Sequence, residues 1–285
     1  SKIAPPIVKL ARALKLPAIP LSVREMRKVT EQIRDTRKES ESISRNFGSS
    51  IIATKKLSVN YGANEALKPL DLELRAGEIT ALMGRNGAGK SSLIKSLLNV
   101  IEYGGSILNN AKKIGYIPQD ANDLLYNQSV LSECLQTDRD HKLTSGSTQR
   151  LLETLAPTIN VNSHPRDLSE GQRLALVLAI TLAPGPDLLI LDEPTRGLDY
   201  ESKSLLTKQL KERAALGAAV LIATHDVELV AELADRIVIL ADGEKVADGV
   251  ALEVLLASPA FAPQVTKVMS PRKWLTISDV LKAIE

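Results

Sequence analysis

Gly84-Arg85-Asn86-Gly87-Ala88-Gly89-Lys90-Ser91 matches the pattern G-x-x-x-x-G-K-[ST]. A short apolar run at 79–83, suited to a buried strand, leads into it, and a helical pattern at 90–99 leads out. Strand, glycine loop and helix are the context the pattern needs. The glycines let successive backbone N–H groups curl around a phosphate, and the helix N-terminus adds partial positive charge. Lys90 is placed to bridge the β- and γ-phosphates and Ser91 to hold Mg2+. Arg85, Asn86 and Ala88 lie on the loop backbone, and Ser92 follows in the first helical turn. From average residue frequencies, a chance match in a chain this long has odds on the order of one in a hundred. The bland alternative is a Gly-rich turn.

A second apolar run, Leu188-Leu189-Ile190-Leu191, ends in Asp192-Glu193. Two carboxylates at the end of a buried strand suggest a cation or a water beyond it. Asp192 is placed to orient Mg2+, and Glu193 to polarise an attacking water. Gln119 follows a strand pattern at 113–117, and His225 follows one at 220–224. On a parallel sheet, ligands bind outside the carboxyl ends of the strands, so these residues converge on the glycine loop. His141 and His164 lack that setting and are read as structural. Strand patterns at 51–61 and 67–74 alternate across a turn at Gly62, and 106–108 is a further short strand. Helix patterns at 171–182, 200–215 and 227–234 alternate with the strands at 188–191, 220–224 and 236–240, which predicts a parallel sheet covered on both faces. Residues 120–167, mostly polar and helical in pattern, interrupt that alternation and predict a helical subdomain.

The chain has 285 residues, 44% hydrophobic and 25% charged, in the range of a soluble globular protein. No apolar run approaches the roughly 18 residues of a membrane span. Ser1-Lys2 open the chain and no apolar signal region follows, which predicts no secretion signal. The single cysteine, Cys134, is read as a packing residue. The net charge of +2 alone implies no polyanion partner, but residues 1–49 hold eleven Lys/Arg against five Asp/Glu. That basic leader carries Pro5, Pro6, Pro17 and Pro20, then a charged helical stretch at 23–40 with a weak apolar stripe, then a linker at 46–50. It also echoes the other end of the chain. Ala4-Pro5-Pro6-Ile7-Val8-Lys9 resembles Ala262-Pro263-Gln264-Val265-Thr266-Lys267, and Leu21-Ser22-Val23-Arg24-Glu25 resembles Leu275-Thr276-Ile277-Ser278-Asp279. Chance similarity of short segments is the competing explanation.

Leu168-Ser169-Glu170-Gly171-Gln172 resembles the signature of ATP-binding cassette (ABC) proteins, usually LSGGQ, with Glu170 in place of the commoner Gly. Ser169 and Gln172 also form a capping-box pattern at a helix start. The resemblance covers about residues 51–245. It implies that Ser169, Gly171 and Gln172 face the γ-phosphate of ATP held by a second cassette. It further implies that Gln119 is the Q-loop residue that senses Mg2+, that Gly197-Leu198-Asp199 is the D-loop at the dimer interface, and that His225 is the switch histidine. Tyr61 resembles the aromatic that stacks on adenine. The expected fold is α/β, a P-loop NTPase core with a mainly parallel sheet, an antiparallel β subdomain and a helical signature subdomain. The expected catalytic set is Glu193, His225, Lys90 and Gln119, with Ser91, Gln119 and Asp192 on the metal.

A narrower resemblance rests on residues 166–176, on Asp192-Glu193-Pro194-Thr195-Arg196-Gly197-Leu198-Asp199-Tyr200, and on Pro118-Gln119-Asp120-Ala121-Asn122-Asp123-Leu124-Leu125. These look like the ATPases of energy-coupling factor transporters, some of which fuse two cassettes. That implies import of a vitamin or metal ion through membrane subunits, at the cytoplasmic face of the membrane, with no nucleic acid as partner. On this reading 1–49 is the tail of a preceding cassette plus a linker. Residues 50–285 are a cassette with a helical subdomain near 120–167 and a tail near 246–285. The rivals are a soluble ABC-type ATPase acting on ribosomes or nucleic acid, and a regulatory cassette that hardly hydrolyses ATP.

Overall fold

The computed structural model describes residues 5–34 and 46–284. Two sheets organise the cassette. In the smaller, β1 (Ser50–Tyr61) pairs antiparallel with β2 (Asn64–Arg75) on one side and with β4 (Gly104–Asn109) on the other. The larger has the order β5 (Ile114–Ile117), β6 (Leu188–Asp192), β7 (Ala219–Ala223), β3 (Ile79–Met83), β8 (Arg236–Ala241), β9 (Glu244–Val250). Its first five strands run parallel, and β9 returns antiparallel along β8.

Every residue of β3, β6 and β7 is buried, which is why these strands are continuous apolar runs and not alternating ones. Successive side chains still point to opposite faces. Ala81, Met83, Leu189, Leu191, Val220 and Ile222 pack in one core with residues of α7 (Glu170–Leu182), α8 (Tyr200–Ala215), α9 (Val227–Leu233) and α10 (Ala251–Ala257). Leu82, Leu188, Ile190 and Leu221 pack on the other side, against Leu93, Ile94 and Leu97 of α4 (Lys90–Leu97) and Leu57, Leu67 and Leu72 of the small sheet. Each of the larger of these side chains, Leu, Ile, Val or Met, contributes about 1.5–3 kcal/mol on burial.

The segment expected to be helical contains α5 (Val130–Asp140) and α6 (Ser147–Leu155), with 3-10 turns at Ala121–Leu124 and Pro165–Asp167. Val130, Cys134 and Leu152 anchor it on Ala175, Leu176 and Ala179 of α7. Cys134 is fully buried, and burial pushes its thiol up to about 12, so it packs as a neutral group.

The leader forms α1 (Pro6–Ala13), α2 (Val23–Val29) and α3 (Glu31–Arg34), and the tail forms α11 (Gln264–Met269) and α12 (Ile277–Ile284). The helical stretch expected over 23–40 breaks at Thr30, whose hydroxyl bonds back to Met26 O at 2.8 Å. Residues 35–45, which include the end of that stretch, and Ala4 of the repeat lie outside the described residues, whereas the linker expected at 46–50 lies within them and its last residue, Ser50, already opens β1. The sheet also runs further than expected, because β9 takes in residues 246–250 that were assigned to the tail.

The two echoing segments share local chemistry. In the leader, Glu25 N–H donates to Ser22 Oγ at 3.2 Å and Leu21 N–H to Glu25 Oε2 at 3.0 Å. In the tail, Asp279 N–H donates to Thr276 Oγ1 at 3.2 Å, and the Leu275 and Thr276 amides to Asp279 Oδ2 at 3.1 and 2.9 Å. Both are reciprocal caps built on aligned positions. The segments also pack on one another: Ile7, Leu10, Ala11 and Met26 share a core with Val265, Val268, Met269, Trp274 and Val280.

Candidate functional site

Four neighbouring strands of the large sheet carry the site. In the order β5, β6, β7, β3 their carboxyl ends lead to Gln119, to Asp192 and Glu193, to His225, and to the glycine loop. The register holds these ends level, with Ile117 opposite Leu191, Asp192 opposite Ala223, and Ala223 opposite Leu82. Residues more than 130 positions apart therefore line one edge because the strands are parallel and neighbouring.

The loop needs its glycines at two points. A Cβ on Gly84 would lie 2.4 Å from Leu240 O, and one on Gly89, at φ +101°, would lie 2.7 Å from Ala66 O. Gly89 is also the N-cap of α4 and offers no capping side chain, so the first amides of the helix are left for an outside acceptor. Lys90 is buried and donates to Gly84 O at 2.8 Å and Arg85 O at 3.2 Å. Its ammonium is thus folded into the loop whose amides it would help to aim at phosphate. Arg85, Asn86 and Gly87 are exposed at the loop tip, and Ala88 and Gly89 are buried.

Ser91 Oγ donates to Asp192 Oδ2 at 3.2 Å. Burial raises the Asp192 carboxyl above its ordinary range. The Ser91 hydroxyl and the Lys90 and Lys95 charges pull the other way, and Glu193 pushes it further up. An incompletely compensated buried carboxylate beside a hydroxyl fits a hard divalent cation. Among the described residues no three His, Cys, Asp or Glu side chains are set to hold a metal ion by themselves, so such an ion would take Ser91, Asp192 and Gln119 together with phosphate and water oxygens. Gln119 is exposed just beyond β5.

Glu193 has φ +49°, a left-handed backbone rare for a residue with a side chain. Its amide still donates to Ala223 O at 2.8 Å, which fastens the strained residue to β7. Its side chain is mostly buried, and Oε2 lies 2.7 Å from Nδ1 of the exposed His225. The contact is close but not aligned as a hydrogen bond, so Oε2 is buried without an aligned donor. The strain and the orphaned oxygen are both of the kind found where a group is held ready for another molecule. Neither has a signature in the sequence.

The signature residues form a second cluster. Ser169 caps α7, with Gln172 N–H donating to Ser169 Oγ at 3.3 Å and Ser169 N–H to Gln172 Oε1 at 3.1 Å. A Cβ on Gly171 would lie 2.7 Å from Ser202 Oγ, so α7 starts against the first turn of α8. Asp199 caps that same turn, accepting from Ser202 N–H at 2.8 Å, and the Ser202 hydroxyl, together with the Ser202 amide, holds its carboxyl below the ordinary range. Among the described residues no hydrogen bond or ion pair joins this cluster to the glycine loop. Tyr61 ends β1 with its ring about half exposed. His164 Nδ1 accepts from Arg166 N–H at 3.1 Å, in keeping with a structural role, while His141 ends α5 through its backbone amide. One link was not foreseen: Lys203 of α8 pairs with Asp226 Oδ2 at 2.6 Å, tying the turn after Asp199 to the residue after His225. Its only trace in sequence is a pair of opposite charges 23 positions apart.

A glycine loop between a buried strand and a helix, acids ending the neighbouring strand, and a capped Ser-x-x-Gln helix outside that edge define a cassette-type ATPase. Residues 67–196 match the family model for ABC transporters, and the chain carries an ABC ATPase domain. A Streptomyces avermitilis protein named as an ABC transporter ATP-binding protein is 48% identical over 247 residues, covering 82% of this chain and 44% of that protein. One from Clostridium tetani with the same name is 30% identical over 279 residues, covering 93% of this chain and 63% of that protein. The chain thus spans less than half the length of the Streptomyces relative. Among solved structures, cbiO1 of Clostridium perfringens, part of the ABC transporter complex cbiONQ, is similar at 28% identity, with a TM-score of 0.66 and coverage of 78% of this chain and 96% of that one. No helix among the described residues is long and apolar enough to cross a membrane.

Proposed function

We propose that this chain is the second cassette of a tandem ATPase that powers import of a small solute, a vitamin or metal ion, through membrane subunits of the energy-coupling-factor kind. The ATPase half of the reading rests on the level edge that gathers the glycine loop, Asp192, Glu193 and His225. The transport half draws on the similarity to cbiO1, which belongs to a transporter complex. The tandem half draws on the leader, which echoes the tail in two short segments, shares its caps, and packs its apolar face on the tail as a like partner. The match covers only 44% of the Streptomyces avermitilis relative, which leaves room in that protein for a second cassette.

The first amides of α4 and the Lys90 ammonium would bind the phosphates of ATP, with Tyr61 against the adenine. Ser91, Asp192 and Gln119 would hold Mg2+, which when bound neutralises charge on the β- and γ-phosphates. Glu193 would orient a water, whose oxygen bonds to the γ-phosphorus as the bond to the ADP oxygen breaks, and would take the proton released. His225, beside Glu193, would contact the γ-phosphate. Ser169, Gly171, Gln172 and Asp199, which stand apart from this chain's own loop, would complete the site of the other cassette, whose signature completes this one. The assembly would dock on the cytoplasmic face of the membrane.

Affinity isolation of the natural full-length protein from its native membrane tests the reading. Membrane subunits and a bound small solute are the expected companions. Ribosomes or nucleic acid in their place would overturn the transport role and leave the ATPase assignment standing.

A further inference from the structure

Beside Leu275, which is buried in the cassette core, two polar contacts tie the leader–tail helices to the first turns of helices that leave the nucleotide edge. The Lys9 ammonium, on α1, lies over the ring of Tyr200, 2.7 Å from its centroid. Tyr200 is the first residue of α8, directly after the cap Asp199, and its ring is 44% exposed, so it is not held in place as part of the core. Glu228, in the first turn of α9 and three residues after His225, accepts from the amide of Gln264, the first residue of α11, at 2.8 Å. Burial raises the Glu228 carboxyl, and the Gln264 amide and the nearby Lys267 and Lys9 charges offset part of that. Lys267 is the residue that aligns with Lys9 in the repeat. Lys203 and Asp226 then close the circuit between α8 and α9 at 2.6 Å. The leader thus grips the helix that follows Asp199, and the tail grips the helix that follows His225.

We propose that Lys9 is a positioning residue for hydrolysis: seated on the Tyr200 ring, it fixes the first turn of α8 and through it the Asp199 segment. An ammonium over an aromatic face is attracted by the ring quadrupole and needs no hydrogen-bond acceptor. Such a contact tolerates small shifts of the ring but is lost when the helix start frays or swings away. It therefore suits a segment that must be held at one stage of the cycle and released at another. The latch acts within this chain and rests only on ATP hydrolysis by the cassette. If the leader is the tail of a preceding cassette, as proposed above, the same contact runs from one cassette to the start of α8 in the other.

The test uses Lys9→Met, which keeps the stem and removes the charge, Lys9→Arg, which restores a cation, and Tyr200→Leu, which removes the ring. Three quantities are read in the whole protein: hydrogen exchange at the Ser202 and Lys203 amides, the kcat and KM of ATP hydrolysis, and the emission of Trp274. That residue is the only tryptophan of the chain and is fully buried in the leader–tail core. Lys9→Met and Tyr200→Leu should each speed exchange at those amides by roughly threefold to tenfold. Both should lower kcat by a similar factor, leave KM and Trp274 emission unchanged, and add nothing to one another when combined. Lys9→Arg should restore the parent behaviour. Parent exchange rates in Lys9→Met overturn the proposal, and so does a changed exchange rate with an unchanged kcat. A red-shifted Trp274 would also overturn it, because Lys9 would then merely hold the helical core together. None of these outcomes depends on which subunits co-purify, so failure here and failure of the transport reading are separate results.

Discussion

At the scale of single residues, the nucleotide edge stores unfavourable chemistry where a ligand would relieve it. Glu193 combines left-handed backbone with a buried carboxylate oxygen that lacks an aligned donor. Glu193→Gln keeps the shape and removes the base, so ATP binding should persist while hydrolysis falls by at least about a hundredfold. ATP should then hold cassette pairs closed, and a phosphate-release assay showing near-parent turnover would mean the catalytic group lies elsewhere. Asp192 supplies a stability counterpart. Its folded carboxyl titrates above the ordinary range because of burial, so as pH falls the folded state takes up a proton before the unfolded chain does. Stability owed to this group is therefore present at low pH and lost as pH rises through the raised value. Asp192→Asn should raise the thermal midpoint of the nucleotide-free protein at neutral pH by about 2 °C and flatten that pH dependence. The same change should remove the extra stabilisation that Mg2+ adds to bound ATP, and calorimetry with and without the metal reads both effects. A midpoint unchanged at neutral pH would show that Ser91 and the lysines already compensate the charge.

At the scale of elements, the sheet and its motifs were legible because each is local. The runs at 79–83 and 188–191 are apolar throughout, so burial on both faces follows from them, and the structure ends those strands at Met83 and Asp192. The capping box at Ser169 was likewise written in four consecutive residues. β9 escaped although its signal was present. Asp242-Gly243 joins β8 to β9 with both residues at positive φ, the turn such a dipeptide favours, and Ala241 pairs with Glu244 across it. Its strand alternates apolar and polar residues weakly, so the period alone did not identify it. The left-handed Glu193 and the contact of Lys203 with Asp226 were not legible, since the first is imposed by its surroundings and the second joins two helices. The Ser169 cap also allows two roles to be separated. Ser169→Ala should weaken the start of α7 by about 1 kcal/mol. Ser169→Asp keeps a capping oxygen but sets an anion where the γ-phosphate of another cassette is proposed to lie. Ser169→Asp should therefore preserve the thermal midpoint and abolish ATP-driven dimerisation, and Ser169→Arg should block dimerisation by bulk. Light scattering that finds ATP-dependent dimers of Ser169→Asp at parent affinity would confine Ser169 to capping.

At the scale of the whole molecule, the repeat was visible in the sequence as two short echoes, but nothing in either segment announced that they pack on each other. Their contacts join residues about 250 positions apart, and periodicity within a segment names its apolar face without naming what covers it. The structure supplies the cover. Leu10 and Met26 from the leader and Val268, Met269 and Trp274 from the tail are all fully buried in one core, separate from the three clusters of the cassette. A core this small depends on each large side chain. Leu10→Ala should remove about 2–5 kcal/mol from that module and far less from the cassette, because Leu10 packs in the leader–tail core and not in the cassette clusters. The expected denaturation curve has two steps. Trp274 emission shifts to the red at low denaturant, while nucleotide binding at residues 84–91 survives to the parent midpoint. Leu10→Asp should expose Trp274 without any denaturant and leave ATP affinity near the parent value. A single cooperative transition in Leu10→Ala, with Trp274 and ATP binding lost together, would show instead that leader, tail and cassette fold as one unit. The leader would then be part of the cassette's own core and not a docked partner of its tail.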